Sequence, residues 1–300
     1  MKMKKIVLLF LSVMMALCLC ACSGKGGSGG GSGKVKKVVD DTSVMGMSFT
    51  CPDNYESVER YSELDKTGKL IEKDITYNLP DEKVLGYAFS SGVDLASMLD
   101  LSTLDSVEQG GQTCYFYPYG DNTYVFIPVG EDLYAVEYTG DIEELKEFMK
   151  SISFTDAKDT ITDDTELGDI AYQFEDEDKV CSHSVRVVEN KSGEIERKNV
   201  QYYFGEDDDN LEYRIYFCLH KNAKIEELTD PDKTYEEREI NGITYTAHIS
   251  DSYDKPYNYY TQHGNDVYQI ANNGTSGWFV NRSDESFEAL EAILNTVSFK

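Results

Sequence analysis

The sequence predicts an α+β fold in two tandem copies, each an antiparallel sheet with helices packed on it. Three observations carry that expectation. Stretches of the second half repeat stretches of the first in the same order. Apolar residues alternate with polar ones over long runs, the period of a strand with one buried face. Each half ends in a segment whose apolar residues recur at three-and-four spacing, the period of a helix lying on one face.

The chain opens Met1-Lys2-Met3-Lys4-Lys5, and an apolar run from Ile6 to Ala21 follows, broken only by Ser12. A membrane-spanning helix needs about 20 apolar residues, so this shorter run with small residues at its end reads as a signal peptide over 1–21. The run closes Leu19-Cys20-Ala21-Cys22. This resembles the lipobox of bacterial lipoproteins at Leu19, Ala21 and Cys22, with Cys20 a less usual occupant of the middle position. The resemblance implies that Cys22 receives a diacylglycerol on its sulfur, a palmitate-type lipid anchor, and becomes the new N-terminus. Residues 22–39 then form a spacer, nearly all Gly and Ser from Ser23 to Gly33, with Lys25, Lys34, Lys36 and Lys37 suited to anionic headgroups.

The first copy spans 40–155. Alternation predicts strands at 74–79, 84–89, 112–118, 123–129 and 133–138, with turns at Gly120-Asp121-Asn122 and Gly130-Glu131-Asp132 short enough for antiparallel hairpins. A short helix is expected at 93–99. A longer one carries Ile142, Leu145, Phe148, Met149 and Ile152 on one face, with Asp141 and Glu144 at capping-box spacing. A last strand, Ser153–Thr155, returns to the sheet.

Residues 156–166 are acidic, Thr-rich and without apolar period, which predicts a linker. The second copy spans 167–300. Gly68 to Leu79 aligns without a gap on Gly193 to Phe204, placing Leu70, Ile75, Tyr77 and Leu79 opposite Ile195, Val200, Tyr202 and Phe204. Gly111–Cys114 matches Gly242–Tyr245, and Gly130–Tyr134 matches Gly264–Tyr268. The closing helix repeats as Phe287, Leu290, Ile293, Leu294 and Val297. Leu211 to Leu219 alternates as a strand, and Ala223–Leu228 is the counterpart of the short helix.

This order of elements, with its Ile152-Ser153-Phe154 and Val297-Ser298-Phe299 ends, is similar to the PsbP-like fold of bacterial lipoproteins and a photosystem subunit. The resemblance implies an accessory or binding protein. Members share no catalytic residues, so none is carried over.

The formal charge is −27, and loss of Lys2, Lys4 and Lys5 with the signal peptide takes it to −30. Such a charge excludes nucleic acid as a partner, because that affinity comes from Lys and Arg on phosphates. Its self-repulsion favours a soluble monomer. Outside the signal region Cys51, Cys114, Cys181 and Cys218 admit two disulfides or buried free thiols.

Signatures of chemistry are few. His183, His220, His248 and His263 are dispersed, and no CxxC or HExxH occurs, so no metal or other cofactor is expected. Gly274-Thr275-Ser276-Gly277 is not a GxSxG elbow. Ser252–Lys255 and Lys66–Gly68 fit SxxK and KTG only in the wrong order. Glu206 to Asn210 lacks the spacing of a calcium loop and reads as a solvated turn. Aromatics are the remaining lead: Tyr115, Phe116, Tyr117 and Tyr119 in one copy, and Tyr257, Tyr259 and Tyr260 in the other. Trp278, the only tryptophan, lies with Phe279 in a Gly-flanked insertion of the kind that carries function. Trp278, Phe279, Tyr257 and Tyr259 are therefore the candidate ligand platform, for a peptide or glycan. The expected function is a lipid-anchored extracytoplasmic binding or interaction protein on the outer face of the cell membrane, with no evident catalytic residue. The alternatives are an envelope hydrolase whose nucleophile assembles only in three dimensions, and an accessory subunit of a membrane complex; the expected partner is an envelope protein, a peptide or a glycan.

Overall fold

A computed structural model describes residues 42–155, 164–175, 177–206, 211–249, 255–272 and 283–300. Of these residues 53% are strand and 14% helix. The fold is mostly β, and the expectation of a helix-packed α+β fold in two tandem domains is corrected. Two causes are visible in the sequence. The expected helix at 93–99 is instead a pair of single 3-10 turns, Leu95–Ser97 and Leu101–Thr103. Asp94 and Asp100 each accept a hydrogen bond from the backbone N–H two residues on, so a second cap restarts the chain before a helix can lengthen. Four strands also carry too little alternation to be read. Asp105–Gln109 and Thr234–Ile240 are largely exposed edge strands, and Ser57–Asp65 and Val180–Asn190 mix polar residues onto both faces.

The chain divides into two compact units that are not successive blocks of sequence. Unit 1 holds the described residues of Met1–Ser62, Leu70–Thr162 and Val188–Glu194, and unit 2 those of Glu63–Lys69, Asp163–Val187 and Ile195–Lys300. Within these segments 65–69 and 190–194 are tight turns built alike. Asp65 Oδ1 accepts from the Thr67 and Lys69 amides, and Asn190 Oδ1 from those of Ser192 and Glu194. Gly68 and Gly193 take the left-handed φ values of +80° and +76° that these turns require.

Unit 1 contains β1 (Ser43–Val44), β2 (Met47–Ser48), β3 (Ser57–Asp65), β4 (Leu70–Asn78), β5 (Val84–Ser90), β6 (Asp105–Gln109), β7 (Gln112–Tyr119), β8 (Asn122–Val129), β9 (Asp132–Thr139), α1 (Ile142–Met149) and β10 (Ser153–Phe154). The main strands run in the order β3-β4-β5-β9-β8-β7-β6, and β2 pairs with β1 and β10 in a small second sheet. One face of the main sheet carries the core, with Phe49 stacked on Tyr87 at 3.6 Å and Tyr138 against Phe148 of α1 at 5.4 Å. The other face buries Tyr124, Phe126, Leu133 and Ala135 beneath Leu95, with Leu99 and Leu101 of the 3-10 region packed alongside.

Unit 2 contains β11 (Ile170–Ala171), β12 (Val180–Asn190), β13 (Ile195–Gly205), β14 (Leu211–His220), α2 (Ile225–Leu228), β15 (Thr234–Ile240), β16 (Ile243–Ile249), β17 (Asn258–His263), β18 (Asp266–Asn272), α3 (Asp284–Leu294) and β19 (Ser298–Phe299). Its strands follow β12-β13-β14-β18-β17-β16-β15, with β11 paired to β19. Leu290, Ile293 and Leu294 of α3 close the core over Ile215, Phe217 and Ile270. Among the described residues Cys51, Cys114, Cys181 and Cys218 are free thiols.

Candidate functional site

Cys22, Trp278 and Phe279 lie outside the described residues, as do most of the 206–210 and 252–255 clusters. Tyr257 and Tyr259 have separate partners. Tyr259 is 5% exposed and meets Tyr245 edge-on at 6.0 Å in the unit 2 core, while half-buried Tyr257 lies 5.1 Å from the ring of His248.

The face of unit 2 opposite that core is polar. Gln269 Nε2 donates to Asn258 Oδ1 at 3.0 Å and to Tyr260 Oη at 3.3 Å, and Asn258 Nδ2 donates to Tyr260 Oη at 2.8 Å. Cys218 and His220 share the face, two residues apart on β14. The thiol donates to Asn199 Oδ1 at 2.8 Å, and His220 Nε2 lies 3.4 Å from Gln269 Oε1. Burial, with the Arg197 charge adding to it, holds His220 down at about 4 and so neutral at physiological pH. The group is a satisfied buried network, with the thiol turned to an amide oxygen. Among the described residues no three His, Cys, Asp or Glu side chains converge to hold a metal.

Unit 1 offers a second arrangement, buried along most of its length and exposed at one end. Antiparallel register places Thr76 opposite Gly86, Gly86 opposite Glu137, Glu137 opposite Tyr124, and Tyr124 opposite Tyr117. Directly paired residues share a face, so these five form one lateral row across β4, β5, β9, β8 and β7. Tyr117 stacks on Tyr119 at 6.3 Å and lies 6.0 Å from Phe126, extending the row as an aromatic strip. Tyr119, at its outer end, is 50% exposed.

Glu137 is the half-buried acid of this row. Its Oε1 accepts from Asn122 Nδ2 at 2.8 Å and from Tyr124 Oη at 3.2 Å, and Thr139 Oγ1 holds the Asn122 amide in that orientation at 2.7 Å. Among the described residues no hydrogen bond reaches Oε2. Burial pushes the carboxyl up to about 7; the Tyr124 hydrogen bond opposes this and the Asp74 charge adds to it. Gly86, opposite it on β5, lets the Thr76 and Glu137 side chains crowd its backbone. A methyl carbon there would stand 3.3 Å from Thr76 Oγ1 and 3.9 Å from Glu137 Oε2. An aromatic strip exposed at its Tyr119 end and leading to a half-buried carboxylate is binding chemistry.

The acid has a measurable consequence for stability. Its folded value of about 7 exceeds the unfolded 4.5, so the stability it confers is complete below pH 4.5 and lost as pH rises through 7. The full shift corresponds to about 3 kcal/mol, and solvent screening of a half-buried group leaves about 1–2 kcal/mol. Glu137→Gln is expected to match the parent at pH 5 and to exceed it by that amount at pH 8 in urea unfolding. Equal stabilities at both pH values would place the carboxyl in water.

A cavity of about 310 Å³ opens on the other side of unit 1, between Leu79, Pro80 and Phe148. Lys83 Nζ meets Glu144 Oε2 there at 2.9 Å, and Tyr138 Oη donates to the same oxygen at 2.5 Å. Cation and acceptor are spent on each other, so this cavity presents less unsatisfied chemistry than the Glu137 row.

The signals for that row were partial. The Tyr115–Tyr119 run is an aromatic lead, and Glu137 is the only carboxylate or cation between Leu133 and Tyr138. Nothing local joined the two.

No family model and no curated protein matches the chain. Among solved structures it is similar to MucB in complex with MucA(peri), at 7% identity and a TM-score of 0.17, over 82% of this chain and 93% of that one. It is also similar to a DUF1329 family protein from Desulfovibrio piger, at 14% identity and a TM-score of 0.13, over 78% of this chain and 90% of that one. At these scores neither likeness carries an argument about fold, ligand or partner. No helix among the described residues is long and apolar enough to cross a membrane.

Proposed function

We infer that this chain is a lipid-anchored extracytoplasmic binding protein, held at the outer face of the cell membrane through Cys22. Its ligand, a peptide or glycan, lies on the aromatic strip of unit 1. The location rests on Leu19-Cys20-Ala21-Cys22 and the basic and apolar residues before it. The binding role rests on one observation: the aromatic strip that runs inward from exposed Tyr119 through Tyr117 and Tyr124 meets, at Glu137, a carboxylate oxygen that no described side chain satisfies.

Stacking on an aromatic ring contributes about 0.5–1.5 kcal/mol, so loss of one ring should weaken a ligand about three- to tenfold. The test is calorimetry on the full-length lipidated chain in detergent. The probes are an end-blocked trilysine peptide and a neutral N-acetylglucosamine tetramer. At least one probe is expected to bind, and Tyr117→Ala to weaken it by that factor without shifting the thermal midpoint. A parent chain that binds neither probe, or a Tyr117→Ala chain that binds as the parent does, overturns this reading.

A further inference from the structure

We propose that β15, the outer edge of unit 2, takes up an extended basic peptide as one further antiparallel strand, with cationic side chains two residues apart set against Glu237 and Glu239. This goes beyond the binding role inferred for unit 1 and stands or falls separately from it.

Backbone geometry leaves this edge open. β15 ends the strand order of unit 2 and pairs with β16 alone among the described residues. Asn241 and Gly242 join the two strands with φ of +52° and +74°, a two-residue hairpin loop with both φ values positive. Its closing pair, Ile240 and Ile243, exchanges both hydrogen bonds. Bonding then alternates along the ladder, so Thr234, Glu236, Arg238 and Ile240 spend their N–H and C=O groups on β16. Tyr235, Glu237 and Glu239 turn theirs outward, where no described turn or loop backbone meets them. Three outward residues form a template on which an added strand can pair.

Side chains select the occupant. Direct pairing puts Glu237 beside Thr246 and Glu239 beside Thr244, on the polar face that also carries Tyr260. Both acids are exposed. Arg238, the one cation of the strand, lies on the other face opposite Tyr245 and is paired with Glu236. That leaves two acids, two residues apart, with no cation on their face of β15. A strand laid against them presents side chains at the same spacing, and opposite charges directly across such a pair are stabilising.

A second copy of this chain fits poorly. Pairing β15 with itself through all three outward residues sets Glu237 against Glu237, in a chain whose formal charge is −27. A peptide with lysine or arginine at alternate positions is the electrostatic complement. The outer strand of unit 1 differs. In β6 the Gly110-Gly111 turn and the Gln109–Gln112 closing pair leave Ser106 and Glu108 facing outward, a single acid with no second one beside it.

The experiment measures fluorescence anisotropy with the full-length lipidated chain in detergent. The probe is a labelled threonine hexapeptide, blocked at both ends, with lysine at its second and fourth positions. An isomer with lysine at the second and fifth positions keeps the charge but turns its lysines to opposite faces. It is expected to bind about three- to tenfold more weakly, and Glu237→Gln combined with Glu239→Gln should weaken the probe by a similar factor. Backbone pairing adds a signature that charge alone lacks. Residues opposite Glu237 and Glu239 direct their own N–H groups at β15, and the residues between direct theirs away. Methylating the backbone nitrogens of both lysines is therefore expected to weaken binding about tenfold, and methylating those of the third and fifth residues to change it less than about threefold. The peptide arms need no protein variant, so the test stands if the double variant alters the fold. A parent chain that does not bind the probe overturns the proposal. So does an isomer that binds as tightly, a double variant that binds as the parent does, or methylation that costs the same at either set of positions.

Discussion

Cys22→Ala is expected to abolish incorporation of labelled palmitate and to leave residues 1–21 attached, while Cys18→Ala and Cys20→Ala label as the parent does. The asymmetry follows from the neighbours. Leu17 precedes Cys18 and Leu19 precedes Cys20, whereas the small Ala21 precedes Cys22 with Leu19 three residues before it. Each buried methylene contributes about 0.8 kcal/mol, and one acyl chain gives only marginal, reversible membrane binding. A diacylglycerol supplies two, so the effect is close to all-or-none, and the intact mass of the membrane-extracted protein reads it directly. A parent chain that keeps Met1 and carries no acyl mass would end the lipid-anchor reading. The binding role would then need a new location.

How much of the molecule was legible depends on the range over which a feature is encoded. Turns are local, and the aligned glycines hold matching left-handed turns: Gly111 and Gly242 at φ of +80° and +74°, Gly130 and Gly264 at +65° and +61°. Central strands are local too. The stretch read at 112–118 is β7, and Leu211 to Leu219 lies within β14. Edge strands are less so. In β6, Asp105 to Glu108 are all exposed, so no buried face imposes alternation, and the pairing that makes it a strand comes from Gln112–Phe116. Fold class erred by the same mechanism, since strands without a pattern went uncounted while doubly capped turns passed for helix. The Glu137 row was hidden for a different reason. Thr76, Gly86, Tyr117, Tyr124 and Glu137 meet only through the register of five strands, and β9 lies beside β5 although β6, β7 and β8 come between them in the chain. A slip of one residue would turn Glu137 to the opposite face, and nothing in its immediate neighbours fixes that choice.

Aromatics that hold the fold differ in burial from those exposed to a ligand, and Phe217→Ala is where the difference is largest. Phe217 sits near the middle of β14, paired with Val200 on one side and Ile270 on the other, and is 1% exposed. Tyr172 stacks on its ring at 3.9 Å, and Tyr202 meets it edge-on at 6.1 Å. The hydroxyls of those two tyrosines lie 3.0 Å apart, so the cluster is fastened by a polar contact as well as by packing. Burial drives the Tyr172 hydroxyl far above its ordinary value and keeps it a neutral partner. Truncation to alanine leaves a cavity between two rings held in place by each other, which limits collapse and puts the cost at about 3–5 kcal/mol. Tyr119→Ala, at the exposed end of the unit 1 strip, should fall within about 0.5 kcal/mol of the parent. Urea unfolding of both variants at pH 7 gives the comparison. A Phe217→Ala loss below 1 kcal/mol would mean that the aromatic cluster of unit 2 is loosely packed. In that case burial would be a poor guide to which of this chain's tyrosines are structural.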